Sequence, residues 1–266
     1  MPARAAVTIA HGMGDHSARY ERFADALVDA GYIVFAHDHR GHGRTAPDPA
    51  SLGRLGPDGW NRLVADMHAL GERIDDETAG LPRIAFAHSM GSFALQQLLL
   101  DHSASLAGAV LCGTSAVDVL AAGVADAEGP ADLSIFNAAI PEPRTESDWL
   151  SRDADEVDRY IADPFCGFGV DAEGLGHMAA AAPSLADPAS LARIRDELPL
   201  LMIAGAADPI NGQLALVELV AQRYRDAGLR AVETRWYVDA RHELLNETNR
   251  DDVTADLLDW IARVLS

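Results

Sequence analysis

Strand-like and helix-like segments alternate along most of this chain, and this alternation limits the possible folds more than any other feature. Apolar and β-branched runs predict six strands, and apolar residues at helical spacing fill most of the segments between them. The predicted strands are 5–12, 32–38, 83–89, 107–114, 198–208 and 232–239, and the main predicted helices are 19–32, 58–74, 90–102, 213–228 and 249–265. The sequence therefore predicts the α/β class, with a doubly wound, mostly parallel sheet of about six strands.

Residues 115–197 interrupt the alternation. This segment contains six prolines and several short helical patterns, and it falls between two predicted strands. It is predicted to be an inserted helical cap. We therefore expect residues 1–114 and 198–266 to form the core.

Composition narrows the possible partners and location. The formal net charge is −20, and all 21 basic residues are arginine. Such a surface repels nucleic acid and anionic membranes, so no nucleic-acid partner is expected. No stretch approaches the ~20 apolar residues of a membrane span, and the start of the chain lacks the apolar region of a signal peptide. With only two cysteines, the sequence predicts a cytoplasmic protein without a disulfide framework.

Ser89 lies at the centre of the segment "RIAFAHSMGSFALQQLLL", between a predicted strand and a predicted helix. The local sequence Ala87-His88-Ser89-Met90-Gly91 differs at one position from G-x-S-x-G, which holds a nucleophile on a tight strand-to-helix turn. Ala87 replaces the first glycine, and a single methyl group is the smallest possible change. The alternative is an ordinary serine that caps a helix. We predict that Ser89 is a nucleophile.

A serine hydroxyl needs a general base, and the base needs an acid to orient it. In this fold these residues follow the nucleophile in the order acid, then histidine, each after a later strand. Asp208 ends one predicted strand and His242 lies three residues beyond another. His242 is therefore predicted to be the base and Asp208 the acid. Asp239 is a rival acid, but its closeness to His242 is more typical of a turn residue.

An oxyanion formed during acyl transfer needs two backbone N–H donors. Met90 follows the predicted nucleophile and should supply one donor. Met13, in the loop "HGMGDHS" after the first predicted strand, should supply the other. Gly12 and Gly14 would allow the close approach that such a loop requires.

A metal site is a second interpretation of the segment "HDHRGHG", where His37, His39 and His42 surround Asp38. The spacing lacks a further carboxylate, and no second cluster supplies more ligands. A polar turn after a strand is the favoured interpretation, and no metal or other cofactor is expected. Elsewhere, three residues have no partners at ligand spacing in the sequence and are predicted to be structural: Cys112, Cys166 and His177.

Taken together, several segments resemble the α/β-hydrolase superfamily, and within it the monoacylglycerol lipase/lysophospholipase-like serine hydrolases of the serine aminopeptidase-type group. The matching segments are "HGMGDHSARY" (11–20), "DHRGHGRT" (38–45), "HSMGS" (88–92), "DP" (208–209) and "RHELLNE" (241–247). They occur in the family order. Such proteins usually begin with an antiparallel pair of strands, so the resemblance implies either a sheet trimmed to six strands or a start further upstream.

The resemblance and the predicted triad together indicate a serine carboxylic ester hydrolase that acts through an acyl-enzyme. The resemblance implies monoacylglycerols, lysophospholipids or small acyl esters as substrates, and residues 130–141 and 149–169 are candidates to line an acyl pocket. Two alternatives remain open at this point. The same triad could serve a peptidase, thioesterase or acyltransferase, or the fold could belong to a non-catalytic binding protein.

Overall fold

The computed structural model describes residues 3–123 and 129–266, which form a six-stranded sheet with all neighbouring strands parallel. The spatial order of the strands is β2-β1-β3-β4-β5-β6. The strands are β1 (Ala6–Ala10), β2 (Ile33–His37), β3 (Arg83–His88), β4 (Gly108–Cys112), β5 (Leu200–Gly205) and β6 (Val232–Tyr237). The prediction of a parallel sheet of about six strands is confirmed, with each strand shorter than or equal to its predicted range.

Helices cover both faces of the sheet. The α-helices of the described residues are α1 (Glu21–Asp29), α2 (Gly59–Glu77), α3 (Met90–His102), α4 (Val117–Gly123), α5 (Ala154–Ala162), α6 (Ala172–Ala181), α7 (Pro188–Leu191), α8 (Ala215–Asp226) and α9 (Arg250–Val264). Within the described ranges, no helix has both the length and the apolar character needed to cross a bilayer.

Successive residues of the central strand β3 point into two separate apolar clusters. Ala85 and Ala87 belong to one cluster, together with buried side chains of α2, α3, α8 and the 115–197 segment. Ile84 and Phe86 belong to the other, with α1 and α9. Because side chains alternate across a strand, this pattern places a helical layer on each face. The doubly wound architecture follows directly from it.

The segment between β4 and β5 contains α4 to α7, and residues 115–197 are called the cap segment below. Two ion pairs join it to the chain after β6: Arg152 Nε lies 2.9 Å from Glu247 Oε2, and Arg250 lies 2.7 Å from Asp153. The division into a core and a cap at 114/115 and 197/198 stays a prediction. The loops that follow β1, β3, β5 and β6 all leave the carboxyl edge of the sheet, where ligands bind in open α/β folds.

Candidate active site

Ser89 occupies a sharp turn between β3 and α3. The strand ends at His88 and the helix begins at Met90, so Ser89 alone makes the turn, with φ 50° and ψ −123°. This conformation is unfavourable for a residue with a side chain and persists only where its surroundings enforce it. Within the described residues, the Ser89 side chain makes no capping hydrogen bond to α3. This geometry is that of a nucleophile elbow rather than of a helix cap.

Gly91 shows why the elbow is sensitive to side-chain size. A Cβ atom at this position would lie 2.5 Å from the backbone oxygen of His11 and 2.7 Å from that of Ala10. The loop after β1 therefore packs directly against the start of α3. Ala87, on the other side of Ser89, is fully buried, and its methyl group is accommodated in the core.

The structure brings the predicted acid and base into contact. Asp208 follows β5, His242 follows β6, and His242 Nδ1 lies 2.8 Å from Asp208 Oδ2. The second carboxylate oxygen of Asp208 accepts a hydrogen bond of 2.9 Å from the backbone N–H of Ile210, which fixes the carboxylate. Among the described residues, the buried His242 Nε2 atom has no hydrogen-bond partner. Asp239, the rival acid, is exposed and has φ 60°, as expected of a turn residue.

The predicted oxyanion donors Met13 and Met90 lie beside the same cavity as Ser89 and His242. In the part of the chain that the structure describes, neither backbone N–H of this pair has a protein acceptor. The loop holding Met13 is closely packed, because a Cβ atom at Gly12 would lie 3.2 Å from Ser89 Cβ. Two unused N–H groups beside a serine hydroxyl are what an oxyanion hole requires.

A buried charge cluster that sequence reasoning missed connects the Met13 loop to the His242 loop. Arg19 donates one hydrogen bond of 3.0 Å to Asp15 and two of 2.6 Å to the carboxylate of Glu243. Burial is the largest single influence and would raise the pKa of Asp15 and Glu243, but the Arg19 charge together with nearby histidines and hydrogen bonds outweighs it and lowers both. Arg19 also stacks on the ring of Tyr160 in the cap segment, 4.8 Å from its centroid. Removing one member of such a buried group typically costs about 3–5 kcal/mol.

A detectable signal for this cluster was present in the sequence. Asp15 and Glu243 each lie within three residues of a predicted site residue, on loops predicted to leave the same edge of the sheet. However, the bidentate contact joins residues 224 positions apart, and no periodicity reports such a pairing.

The histidines of "HDHRGHG" form a buried network with His11. The His39 backbone N–H donates to His11 Nε2 at 2.9 Å, and His37 Nε2 lies 3.2 Å from His39 Nδ1. Burial is the main cause that lowers the pKa of each of these histidines, and the pKa of His11 falls to about 3. Across the described ranges, no three ligand atoms from these histidines and Asp38 gather within 4.8 Å. The network supports the loop after β1.

A cavity of about 420 Å³ opens at Ser89 and His242. It falls within the ~300–1,000 Å³ typical of small-molecule sites. Its apolar lining comes from Phe93, Val117, Leu120, Ala121, Pro130, Ala131, Leu133, Ile135, Phe136, Trp149, Leu150, Tyr160, Ala172, Leu175, Met178, Ala179 and Ile210. Both segments predicted as possible pocket walls contribute. Helices α4 and α6 also contribute, although the sequence did not assign them there.

The two cysteines have different surroundings in the structure. Cys112 is buried and has no group of ligand atoms around it in the described ranges. Cys166, predicted to have no partners at ligand spacing, lies with His16 and Asp163, and one ligand atom from each falls within 4.8 Å of the others. The sequence analysis considered spacing along the chain, whereas folding brings His16 to residues about 150 positions away, so the structural role of Cys166 stays a prediction. His177 is half-buried in α6.

Comparison with known proteins gives a consistent result. Residues 1–249 match the model of the Hydrolase_4 family, described as serine aminopeptidase S33. The chain is 28% identical over 267 residues to a monoacylglycerol lipase of Mycolicibacterium smegmatis, covering 97% of this chain and 88% of the relative. It is 27% identical over 283 residues to the human monoglyceride lipase, with 98% and 83% coverage.

A solved structure supports the same family assignment. A thermostable carboxyl esterase from Bacillus coagulans, determined in complex with glycerol, superposes with a TM-score of 0.87 at 30% identity, covering 100% of this chain and 92% of that one. Because the family model spans most of the chain and the fold and relatives agree with it, this protein belongs to the Hydrolase_4 (serine aminopeptidase S33) family of α/β-hydrolases and is a serine hydrolase.

Proposed function

We propose that this chain hydrolyses carboxylic esters of lipids through a covalent acyl-enzyme. The Ser89 hydroxyl oxygen attacks the ester carbonyl carbon while His242 Nε2 takes the hydroxyl proton. Asp208 holds His242 in the required tautomer and stabilises the imidazolium. The bond to the alcohol then breaks, and His242 returns the proton to the departing oxygen.

Water completes the cycle. It attacks the acyl carbon, His242 takes one of its protons, and the acid leaves as Ser89 regains its hydrogen. In both halves of the reaction, the N–H groups of Met13 and Met90 stabilise the negative oxygen. The observation that carries this proposal is the 2.8 Å contact between His242 and Asp208, with the other nitrogen of His242 unpaired in the described chain and adjoining the cavity of Ser89.

The substrate class is inferred from the cavity and the relatives. The cavity walls are mostly apolar, which suits an acyl chain, and the relatives are called monoacylglycerol and monoglyceride lipases. We propose monoacylglycerols, lysophospholipids or small acyl esters as substrates.

An ester panel tests this proposal. Hydrolysis is measured for esters graded from acetate to palmitate, including a monoacylglycerol, with the wild-type chain and with Ser89→Ala. Ser51→Ala, which removes a serine hydroxyl at the surface, is the matched control and should retain full activity. We expect activity on the panel that Ser89→Ala abolishes. No hydrolysis of any ester by a folded wild-type chain would contradict ester chemistry.

A peptidase is the second candidate, and one carboxylate favours it. An aminopeptidase needs a free acidic group near the site to bind the substrate amine. Asp15 and Glu243 adjoin the cavity, but both are already engaged in ion pairs with Arg19. Asp132 adjoins the same cavity, is exposed, and accepts hydrogen bonds only from Ser134 among the described residues. Cleavage of an amino-acid anilide that Asp132→Asn suppresses would favour this second function.

A further inference from the structure

His16, Asp163 and Cys166 meet where the cap segment contacts the loop after β1. His16 lies in the loop that also contains Met13, whereas the other two residues follow helix α5 of the cap segment. Their side chains are half-buried, so solvent can reach the group. The proposed reaction uses none of these three residues, and Asp163 and Cys166 also lie outside the segments that carry the family resemblance.

The geometry of the three ligand atoms is close to that of a metal site. His16 Nε2 lies 2.9 Å from Asp163 Oδ2, and one ligand atom of each residue, the Cys166 sulfur included, lies within 4.8 Å of the other two. Ligand atoms around a tetrahedral zinc ion are separated by roughly 3.3–3.8 Å, given the usual bond lengths. Shifts of about 1 Å would therefore suffice to bind an ion.

The Asp163 carboxylate is already oriented for this task. Its Oδ1 atom accepts a hydrogen bond of 2.8 Å from the backbone N–H of Phe165, which directs Oδ2 towards His16. Fixed ligand carboxylates of this kind are a regular feature of metal sites.

We propose that His16, Asp163 and Cys166 form a binding site for one thiophilic divalent cation such as Zn²⁺. A nitrogen, a carboxylate oxygen and a thiolate sulfur are the ligand types that zinc prefers, and a water molecule completes the tetrahedron. On binding, the Cys166 thiol releases its proton to solvent as the metal–sulfur bond forms, and the ion replaces the His16–Asp163 hydrogen bond. One thiolate and one carboxylate balance the two positive charges.

The nearby Arg19 does not oppose this site strongly. The positive charge of the Arg19 guanidinium interacts electrostatically with Cys166. Asp15 and Glu243 both form ion pairs with Arg19, however, and compensate that charge.

Metal binding would join the cap segment to the predicted oxyanion loop. The two already touch at this point, because the Gly167 N–H donates to the Gly14 carbonyl at 3.0 Å. A bound ion would hold the cap segment closed over the cavity and slow hydrolysis of esters that must enter beneath it. This consequence rests on the proposed function, whereas the binding itself does not.

Titration of the full-length chain with Cd²⁺, followed by ultraviolet absorption, tests the binding without substrate. A cadmium–thiolate bond gives a charge-transfer band that a histidine-only site cannot give. We expect one equivalent of Cd²⁺ to produce the band, and Zn²⁺ to compete for the same site. At hundredfold excess over Kd, Zn²⁺ should raise Tm by about 5 °C.

Single substitutions identify the residues that bind the metal ion. Cys166→Ser should abolish the band, and Asp163→Asn and His16→Gln should each weaken Cd²⁺ binding by at least the ~10–100-fold that loss of a supporting group costs. His177→Gln, a change at a different half-buried histidine that lies in the cap segment, is the control and should leave the band intact. Absence of the band in the folded wild-type chain, or its persistence in Cys166→Ser, would overturn the proposal. If ester hydrolysis is lost but the cadmium–thiolate band remains, the metal site stands and only the proposed function is contradicted.

Discussion

The carboxyl edge of the sheet and the cap segment form opposite walls of one cavity, but they are constructed differently. At the sheet edge, backbone atoms pack so closely that side chains are excluded: a Cβ atom at Gly205 would lie 2.1 Å from the Ala240 carbonyl oxygen. The cap segment meets the rest of the chain as closely in places, for example where a Cβ atom at Gly14 would lie 2.4 Å from the Phe168 carbonyl oxygen, but elsewhere it is attached through ion pairs of partly exposed side chains, such as Arg250 with Asp153. Substitutions at the edge should therefore change the rate for every substrate, whereas substitutions in the cap segment should change which substrates react.

The largest expected effect is at the acid of the proposed triad. Asp208→Asn keeps the shape of the side chain but favours the wrong tautomer of His242, so kcat should fall about 10⁴-fold for short and long esters alike. Steady-state kinetics on acetate and palmitate esters measure it. A loss confined to one chain length would contradict the distinction between the two regions.

Substituting one glycine in each region by alanine compares the packing of the two regions directly. Gly91→Ala places a methyl group against two backbone oxygens and should destabilise the fold by about 3 kcal/mol or more. Gly176→Ala, in helix α6 of the cap segment, meets no atom within 4 Å and should stabilise the helix by up to about 1 kcal/mol. Urea unfolding of both variants measures the difference. Equal effects would refute the packing contrast.

Acid should destabilise the sheet edge through its buried histidines. Burial lowers the pKa of His88 to about 4 and that of His11 to about 3, with the neighbouring His242 and His42 charges adding to the effect. Between pH 6.5 and about 4 the unfolded chain binds protons that the folded chain does not. The free energy of unfolding is therefore highest above pH 6.5 and falls by about 1.4 kcal/mol per pH unit for each histidine.

Denaturant unfolding at pH 7.0 and pH 5.5 measures this slope. His88→Gln should reduce it by about one proton, whereas His177→Gln, in the cap segment, serves as the comparison. An unchanged slope in His88→Gln would contradict the assignment.

The smallest expected effect concerns substrate choice. Ala121→Phe adds a ring to a residue that lines the cavity from the cap segment. It should lower kcat/KM for palmitate esters about tenfold and leave acetate esters within about twofold. Ala180→Phe, at an exposed position of α6, is the matched control. A similar loss for acetate would show that Ala121 affects the reaction itself.

The two regions also differ in how much of their structure could be predicted from the sequence. Strands β1 to β6 and the Ser89 elbow could be predicted from local sequence patterns. Because loops that leave the same edge of a sheet lie close together, the Asp208–His242 contact could also be predicted from the order of the strands along the chain. The cap segment offered no such rule. Short helices such as α6 are apolar on several sides, and the sequence does not state which neighbour they face.

The exact pairing in two other long-range polar groups could not be predicted from the sequence. The Arg19–Glu243 pair depends on two loops meeting at a particular rotation, and the His16, Asp163 and Cys166 group depends on where the cap segment settles. No periodicity in a sequence encodes either arrangement.

The most direct test of the central claim is labelling with a fluorophosphonate probe, followed by peptide mass spectrometry. We expect a single modified residue, Ser89, with no labelling of Ser89→Ala and slower labelling of Asp208→Asn. A folded wild-type chain that does not react, or one whose labelling persists in Ser89→Ala, would contradict the assignment of Ser89 as the nucleophile.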